Sequence, residues 1–330
     1  MVKVSVNRVF CLYCRREVSE SDQKSTGNQI CLECAERLKN YHVRYSNDRE
    51  IIEKLKEKGI ANFYHSLNMY GAVTEISIQN MAIHEFPNEI CDLKSLKLLK
   101  ISNTRISELP DEISQLKELK TLLLGNNRIS VLPDSLNQLI HLTTLDITNN
   151  KIQKIKENAF HGLNSLTVLD LSNNFIQELP NNIGDLNMLE LLLIPNNKLI
   201  SLPESLCQLV RLEEMNLSKN FITKIPKLDD LTALEVLNLE NNQISELHLD
   251  FRKLVSLKVI RLGNNLLKEV PSSIQTKTNL KKIMLENNKI EAIPDFIRKI
   301  NHLQLLNLRG NPLKRKDKLR VRDYPFFCSF

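Results

Sequence analysis

The sequence has no long apolar runs and few of the residues that interrupt regular structure. Eight glycines and eleven prolines in 330 residues are too few for a collagen-like or linker-dominated chain. No apolar stretch approaches the roughly 18 residues that suggest a membrane-spanning helix. Residues 1–14 contain no continuous apolar core of a secretory signal. We therefore expect a cytoplasmic protein without a transmembrane segment.

The central part of the chain also lacks the excess of basic residues that binding to a polyanion would require. The net charge of +6 comes from the two ends of the chain. Residues 1–72 hold 12 basic and 9 acidic side chains, residues 314–330 hold 6 and 2, and residues 73–313 hold 27 and 28. Attraction of nucleic acid requires a basic stripe, and the balance of the central segment offers none. Nucleic acid is therefore not the expected partner.

Common catalytic motifs are missing as well. The patterns HExxH, GxSxG and GxxxxGK[ST] do not occur. Cys91 and Cys207 fall on the same slot of a repeat, five copies apart, where small residues fill the convex side, and neither has a neighbouring base. The sequence therefore predicts a protein without enzymatic activity.

A repeat fills the centre of the sequence. It is plain when LKTLLLGNNRISVLP (119–133) is aligned with LELLLIPNNKLISLP (189–203). The same frame starts at positions 73, 96, 119, 142, 166, 189, 212, 234, 257, 280 and 303, with a spacing of 23 residues except for one of 24 and one of 22. These eleven copies of LxxLxLxxNxIxxLP resemble the leucine-rich repeat family over residues 73–313.

The slots of the repeat predict an α/β solenoid. The LxL core alternates with period two, so each copy forms a short strand, and stacked copies form a curved parallel sheet on the concave side. The asparagine slot satisfies buried backbone groups where the chain turns inward. Eight of the eleven prolines share one slot, where they open a short helical turn on the convex side. Lys156 and His248 replace this proline in two repeats, and the repeat containing Pro226 is one residue short.

Two cysteine pairs near the N-terminus predict a structural zinc ion. Cys11-Leu-Tyr-Cys14 and Cys31-Leu-Glu-Cys34 form C-x2-C-x16-C-x2-C, the spacing with which two short turns bring four thiolates to tetrahedral Zn²⁺. Four thiolates close the coordination shell, so a catalytic zinc is not expected. The arrangement resembles a zinc ribbon or a treble-clef finger. The alternative is a disulfide pair or four unrelated thiols.

These features divide the chain into four segments. Residues 1–45 form the zinc module, and residues 46–72 form a helical linker and N-terminal cap with a helix at 47–59. Residues 73–313 form the eleven repeats. Residues 314–330 form a basic and aromatic tail, which we interpret as a C-terminal cap. The alternative for the tail is contact with acidic lipid or nucleic acid.

Side chains that flank the strand leucines are the candidates for partner binding on the concave face. Apolar residues with acidic neighbours on an exposed sheet are typical of a protein-binding surface. The candidates, including two phenylalanines that follow the asparagine slot, are Leu98, Leu123, Asp146, Val168, Asp170, Phe175, Leu191, Leu193 and Phe221. The alternative is that apolar residues at these slots only favour strand formation.

The LP-ending 23-residue repeat resembles that of the intracellular Ras-group leucine-rich repeat scaffolds. Those proteins bind small GTPases and phosphatase subunits through the concave face. The resemblance implies a monomeric scaffold or adaptor that binds a protein partner, such as a small GTPase or a signalling enzyme. The zinc module is not part of that pattern, so the resemblance does not identify the partner of this chain. The alternative function is nucleic-acid or ribonucleoprotein binding through the zinc module and the basic tail.

We expect the purified full-length chain to contain about one zinc ion, because one tetrahedral site uses all four thiolates. Replacement of one cysteine in each pair, Cys11→Ser with Cys31→Ser, should reduce the bound zinc to a small fraction of this value. Elemental analysis measures the content, and Cys207→Ser is the matched control. A wild-type content far below one zinc ion per chain would contradict the prediction of a zinc module.

Overall fold

The computed structural model describes residues 47–275, 279–300, 302–320 and 324–330. In these residues the strands form one 13-stranded sheet, in which the spatial order follows the order of the chain. Strands β2 to β13 all pair in parallel with their neighbours, and β1 pairs antiparallel with β2. This confirms the parallel solenoid predicted from the repeat.

The elements of the described residues are short and regular. The strands are β1 Tyr64–Leu67, β2 Val73–Gln79, β3 Leu98–Ser102, β4 Thr121–Leu123, β5 Thr144–Asp146, β6 Val168–Asp170, β7 Leu191–Leu193, β8 Glu214–Asn216, β9 Val236–Asn238, β10 Val259–Arg261, β11 Lys282–Met284, β12 Leu305–Asn307 and β13 Phe327–Ser329. The 3-10 helices are Asn88–Asp92, Asp111–Gln115, Asp134–Gln138, Asn181–Asp185, Glu204–Gln208, Ser272–Gln275 and Asp295–Lys299. The α-helices are α1, residues 47–57, and α2, Arg315–Arg320.

One continuous apolar core runs the length of the described solenoid, from Ile51 to Phe326. The central residue of each three-residue strand from β4 to β12 is fully buried, as are Ile76 of β2 and Leu99 of β3, and the residues on either side of it point to the opposite face. A single repeat cannot enclose its own leucines, so each repeat is stabilised by its neighbours.

The asparagine slot joins each repeat to the one before it. Asn197 is 5% exposed, and its Nδ2 donates to the carbonyl oxygens of Leu171, at 3.0 Å, and Ile194, at 3.4 Å. Its Oδ1 accepts the backbone N–H of Ile176 at 3.0 Å. One amide therefore satisfies buried groups in two successive repeats. The equivalent residues are Asn127, Asn150, Asn174, Asn220, Asn242, Asn265, Asn288 and Asn311.

The residue before this buried asparagine has a left-handed backbone in the described repeats. Nine of the ten non-glycine residues with this geometry are asparagines, which tolerate positive φ through local side-chain hydrogen bonds. Lys219, with φ 56°, is the exception. Gly310, with φ 73°, occupies the same slot in the last repeat.

All seven 3-10 helices of the described residues begin directly after a proline, as the proline slot predicts. Fixed φ and the missing N–H suit proline to the start of such a turn. The repeats with Lys156 and His248 in this slot, and the shortened repeat after Pro226, have turns or irregular backbone there instead.

Both ends of the described solenoid are covered. Ile52 and Leu55 of α1 are buried in the core, and Oδ2 of Asp48 accepts the backbone N–H of Val73 at 2.9 Å. At the other end, Phe326 is 9% exposed, and its ring centroid lies 5.4 Å from that of Tyr324. Strands β1 and β13, outside the repeats, extend the sheet at its two edges.

Asn197→Ala should lower the free energy of unfolding by about 2 kcal/mol or more, because it leaves a buried N–H and buried carbonyls without partners. Urea denaturation followed by circular dichroism measures the change. Asn187→Ala removes the same amide from an exposed position and should change stability by less than about 0.5 kcal/mol. Equal losses in the two variants would contradict the role given to the buried amides.

Lys219→Asn should stabilise the chain by about 0.5–1 kcal/mol, because asparagine tolerates the left-handed backbone at less cost than lysine. Lys224→Asn, an exposed change in the same repeat at a residue without positive φ, is the control for loss of charge. Thermal unfolding compares the two variants with the wild type. A melting temperature that rises no more for Lys219→Asn than for Lys224→Asn would contradict the prediction.

Candidate functional site

Two columns of side chains form the open face of the sheet, opposite the core. They come from the first and third residues of the three-residue strands, which bracket the buried central residue. Across β3 to β8, the first column is Leu98, Thr121, Thr144, Val168, Leu191 and Glu214, and the second is Lys100, Leu123, Asp146, Asp170, Leu193 and Asn216. We call this surface the sheet face.

The apolar candidates form two groups on the sheet face. Val168 is paired with Leu191, and Leu193 lies on the same strand as Leu191, so these three side chains form one half-buried patch. The second group consists of Leu98 on β3 and Leu123 on β4, which lie in different columns of adjacent strands and are not paired in register. Threonines in one column and two aspartates in the other separate the groups.

Asp146 and Asp170 are paired in register at the centre of the sheet face, one strand spacing of roughly 4.8 Å apart. Asp146 accepts the backbone N–H of Thr148 at 2.8 Å. Asp170 accepts the backbone N–H of Ser172 at 2.9 Å and also its hydroxyl. Burial raises the pKa of Asp170, and the charge of Asp146 adds to this, while the hydrogen bonds from Ser172 act in the opposite direction. Within the described ranges, no cation lies within 4 Å of either carboxylate.

An acidic margin lies beside the apolar patch, and the sequence analysis did not single it out. Glu190, Glu213 and Glu235 occupy the position before the first column, and each donates its backbone N–H to a carbonyl of the preceding repeat at 2.8–2.9 Å. Glu235 is paired with Lys258 at 2.5 Å. Glu190 and Glu213 are exposed, and they adjoin Leu191 and Glu214 of the sheet face.

Phe175 and Phe221 lie outside the strands. Each follows its buried asparagine and donates its backbone N–H to a carbonyl of the preceding repeat at 2.8 Å. Their side chains are 42% and 48% exposed. They are therefore placed on the flank of the solenoid, past the C-terminal ends of the strands, and do not belong to the two columns of the sheet face.

The four cysteines of the predicted zinc module lie outside the described residues. Within the described ones, no group of three histidine, cysteine or acidic side chains is arranged to hold a metal ion. Cys91 and Cys207 lie in 3-10 helices, as filler residues of the convex side would. Burial raises the pKa of the Cys91 thiol to about 12 and that of Cys328 to about 11, so both are protonated at neutral pH.

Three family models match the repeats. "Leucine rich repeat" matches residues 140–199 and 255–313, "Leucine-rich repeat region" matches 75–169, and "Leucine Rich repeats (2 copies)" matches 210–251. Together they account for most of the chain, which therefore belongs to the leucine-rich repeat proteins. A search of curated proteins found no match.

Solved structures of other leucine-rich repeat proteins share the fold. PEPR1, solved as PEPR1–AtPEP1, is 28% identical with a TM-score of 0.63 over 73% of this chain and 35% of its own. The ectodomain of the plant membrane receptor kinase GASSHO1/SCHENGEN3 from Arabidopsis thaliana, in complex with CASPARIAN STRIP INTEGRITY FACTOR 2, is 25% identical, with a TM-score of 0.53 over 75% of this chain and 32% of its own. InlJ from Listeria monocytogenes is 23% identical, with a TM-score of 0.62 over 73% of this chain and 50% of its own.

Leucine-rich repeat proteins generally mediate protein–protein interactions, and the repeat fold is typically a non-enzymatic interaction domain. The chain corresponds to about a third of PEPR1 and of GASSHO1/SCHENGEN3, which are longer. Across the residues that the structure describes, no helix is both long and apolar enough to traverse a bilayer.

Asp170→Asn should make the protein more stable than the wild type at pH 7. A raised carboxyl pKa in the folded state means that folding favours the protonated form, so this stability is lost as the pH rises through the folded pKa. The amide keeps the acceptor for Ser172 but carries no charge. The advantage of the variant should therefore shrink as the pH falls through the raised pKa of the folded state towards 3.8, the ordinary value, and change little below it.

Urea denaturation at several pH values measures this difference. Asp230→Asn, a change of the same kind at an exposed position, is the control and should have little effect. A difference between Asp170→Asn and wild type that is unfavourable at pH 7, or independent of pH, would contradict the assignment.

Proposed function

We propose that the chain is a non-enzymatic scaffold or adaptor that holds a protein partner on the sheet face. The observation that carries this proposal is the patch of Val168, Leu191 and Leu193, which lies half-exposed beside two carboxylates that have no cation within 4 Å among the described residues. Apolar area next to carboxylates without an ion pair gives a partner both burial energy and an orienting contact.

The charges around the patch favour a basic partner surface. Asp146 and Asp170 lie on one side of the patch, and Glu190, Glu213 and Glu214 lie on the other. A lysine or arginine of the partner placed between the two aspartates would form charge-assisted hydrogen bonds with both. An acidic partner would meet repulsion at the same place.

The comparisons support a macromolecular partner. PEPR1 and GASSHO1/SCHENGEN3 were each solved together with a second, named polypeptide. Their repeats are similar to those of this chain, although both proteins are longer. We propose that the repeats of this chain likewise serve as a binding surface. We do not propose that they bind either of those two ligands.

The finer parts of the proposal depend on the sequence. Through its resemblance to the Ras-group scaffolds, we propose a cytoplasmic, monomeric protein whose partner is a small GTPase or another signalling enzyme. The four N-terminal cysteines would hold one structural zinc ion, in a module that adds to the repeats without contributing chemistry of its own.

Leu191→Glu with Leu193→Glu should abolish capture of the partner, because the change places two charges in the centre of the apolar patch. The loss should be at least about a hundredfold in affinity, since buried hot-spot residues contribute about 2 kcal/mol or more each. Affinity purification from cell extract with quantitative mass spectrometry identifies the proteins that the wild type retains. Titration with the purified partner then gives the affinity.

Val210→Glu with Val255→Glu is the matched control. Both valines are exposed, 49% and 52%, and lie on turns away from the strands, so this variant should retain the partner. The proposal fails if capture survives Leu191→Glu with Leu193→Glu and is lost in Lys314→Glu with Arg315→Glu, which changes the basic tail.

A further inference from the structure

A row of exposed side chains runs along the flank of the solenoid, past the ends of β3 to β8. It consists of the residue after the asparagine slot in six successive repeats. We call it the flank row: Arg105, Arg128, Lys151, Phe175, Lys198 and Phe221. Each donates its backbone N–H to a carbonyl of the preceding repeat at 2.8–2.9 Å. These bonds hold the row in register from one repeat to the next, with a step of roughly 4.8 Å, the spacing of adjacent strands.

The flank around this row is strongly basic. The six exposed turns 103–108, 126–131, 149–154, 173–178, 196–201 and 219–224 hold seven lysines and arginines and two glutamates. Lys154 pairs with Glu178 at 3.9 Å. In the part of the chain described, the other six cations have no carboxylate within 4 Å. They are Arg105, Arg128, Lys151, Lys198, Lys219 and Lys224.

Most acidic side chains of the same repeats lie on other surfaces. Asp111, Asp134 and Glu204 begin 3-10 helices, and Asp146 and Asp170 lie on the sheet face. The near-neutral balance of residues 73–313 is therefore the sum of surfaces with different charges, and the flank is the basic one.

Two of the six residues of the flank row are aromatic. Phe175 and Phe221 are two repeats apart and expose 42% and 48% of their surface. The ammonium of Lys198, between them in the row, lies 5.0 Å from the centroid of the Phe175 ring. The flank row thus combines four cations with two half-exposed aromatic rings.

We propose that the flank row binds a single-stranded nucleic acid, whose phosphates contact the cations while its bases stack on Phe175 and Phe221. Proteins that bind single strands combine a positive track for the backbone with aromatic platforms for the bases, and the flank row supplies both. This site is separate from the sheet face and goes beyond the protein-binding function. Its residues belong neither to residues 1–45, the predicted zinc module, nor to residues 314–330, the tail.

The composition of the row favours this ligand over two others. Lysine is depleted in the cores of protein–protein interfaces, whereas four of the six unpaired cations are lysines. A membrane surface would need apolar side chains that penetrate the interface. Phe175 and Phe221 are about half covered, which suits a base stacked on the exposed side and limits insertion.

The test is binding of fluorescein-labelled oligo(dT) and oligo(U) of about 12 nucleotides to the full chain, followed by fluorescence anisotropy in about 50 mM salt. We expect binding that weakens as salt increases. Phe175→Ala with Phe221→Ala should weaken it about tenfold or more, because both stacking platforms are lost. Arg128→Glu with Lys151→Glu should weaken it and lower the slope of log affinity against log salt by about 0.7 for each lost phosphate contact.

Three control variants show whether the oligonucleotide binds at the flank row. Phe327→Ala removes a ring that is 66% exposed at the far edge of the sheet, and it should leave binding unchanged. Lys314→Glu with Arg315→Glu changes the tail, and Leu191→Glu with Leu193→Glu changes the sheet face, and both should bind as the wild type does. Matching thermal unfolding of all variants shows that the solenoid is intact.

The proposal is overturned if the wild type binds neither oligonucleotide, or if both flank variants bind as tightly as the wild type, because the ligand then lies elsewhere. It is also overturned if the flank variants lose affinity for vesicles of phosphatidylserine and phosphatidylcholine but not for the oligonucleotides. A preference for oligo(U) or for oligo(dT) supports the site in either case and identifies the ligand as RNA or DNA.

Discussion

Buried backbone groups at the end of each strand are the constraint on which the solenoid depends. The chain turns towards the core after every strand, and its N–H and C=O groups there have no water to bind. Asn220 illustrates the solution, since its amide donates to Ile194 of the preceding repeat and Leu217 of its own, and accepts from Leu199. Each repeat is thus completed by its successor, in its polar groups as well as in its apolar core.

This arrangement leaves two surfaces whose side chains have only a small part in folding. Strand pairing on the sheet face and the N–H ladder of the flank both use backbone atoms, so most side chains there are free to vary in charge and size, with Asp146 and Asp170, which accept backbone N–H groups, as exceptions. Between β5 and β8 the sheet face carries acidic and apolar side chains, and the flank of the same repeats carries basic ones. The two partners that we propose would therefore contact different side chains of one stretch of solenoid.

The repeat allowed much of the fold to be predicted. The positions of the strands, their parallel pairing and the helical turns after proline all follow from slots with one physical role each. Strands β1 and β13 were not predicted, because Tyr64–Leu67 and Phe327–Ser329 lie outside the repeat and become strands only against a sheet that already exists. The left-handed residues had a signal, the doubled asparagine, whose first member carries the positive φ.

The flank row was harder to predict from the sequence. Neither the net charge nor the order of residues along the chain shows which side chains are adjacent in the folded solenoid. Lys151, Phe175 and Lys198 are more than 20 residues apart in sequence and adjacent in the flank row. A sum over residues 73–313 averages this row with the acids of the 3-10 helices, and so the basic stripe was missed. Folding gives no reason for Phe175 and Phe221 in a row otherwise occupied by lysine and arginine, since the backbone N–H makes the same bond in every case. Half-exposed rings at those two positions are not part of the buried core, which is why we assign them to the proposed nucleic-acid site.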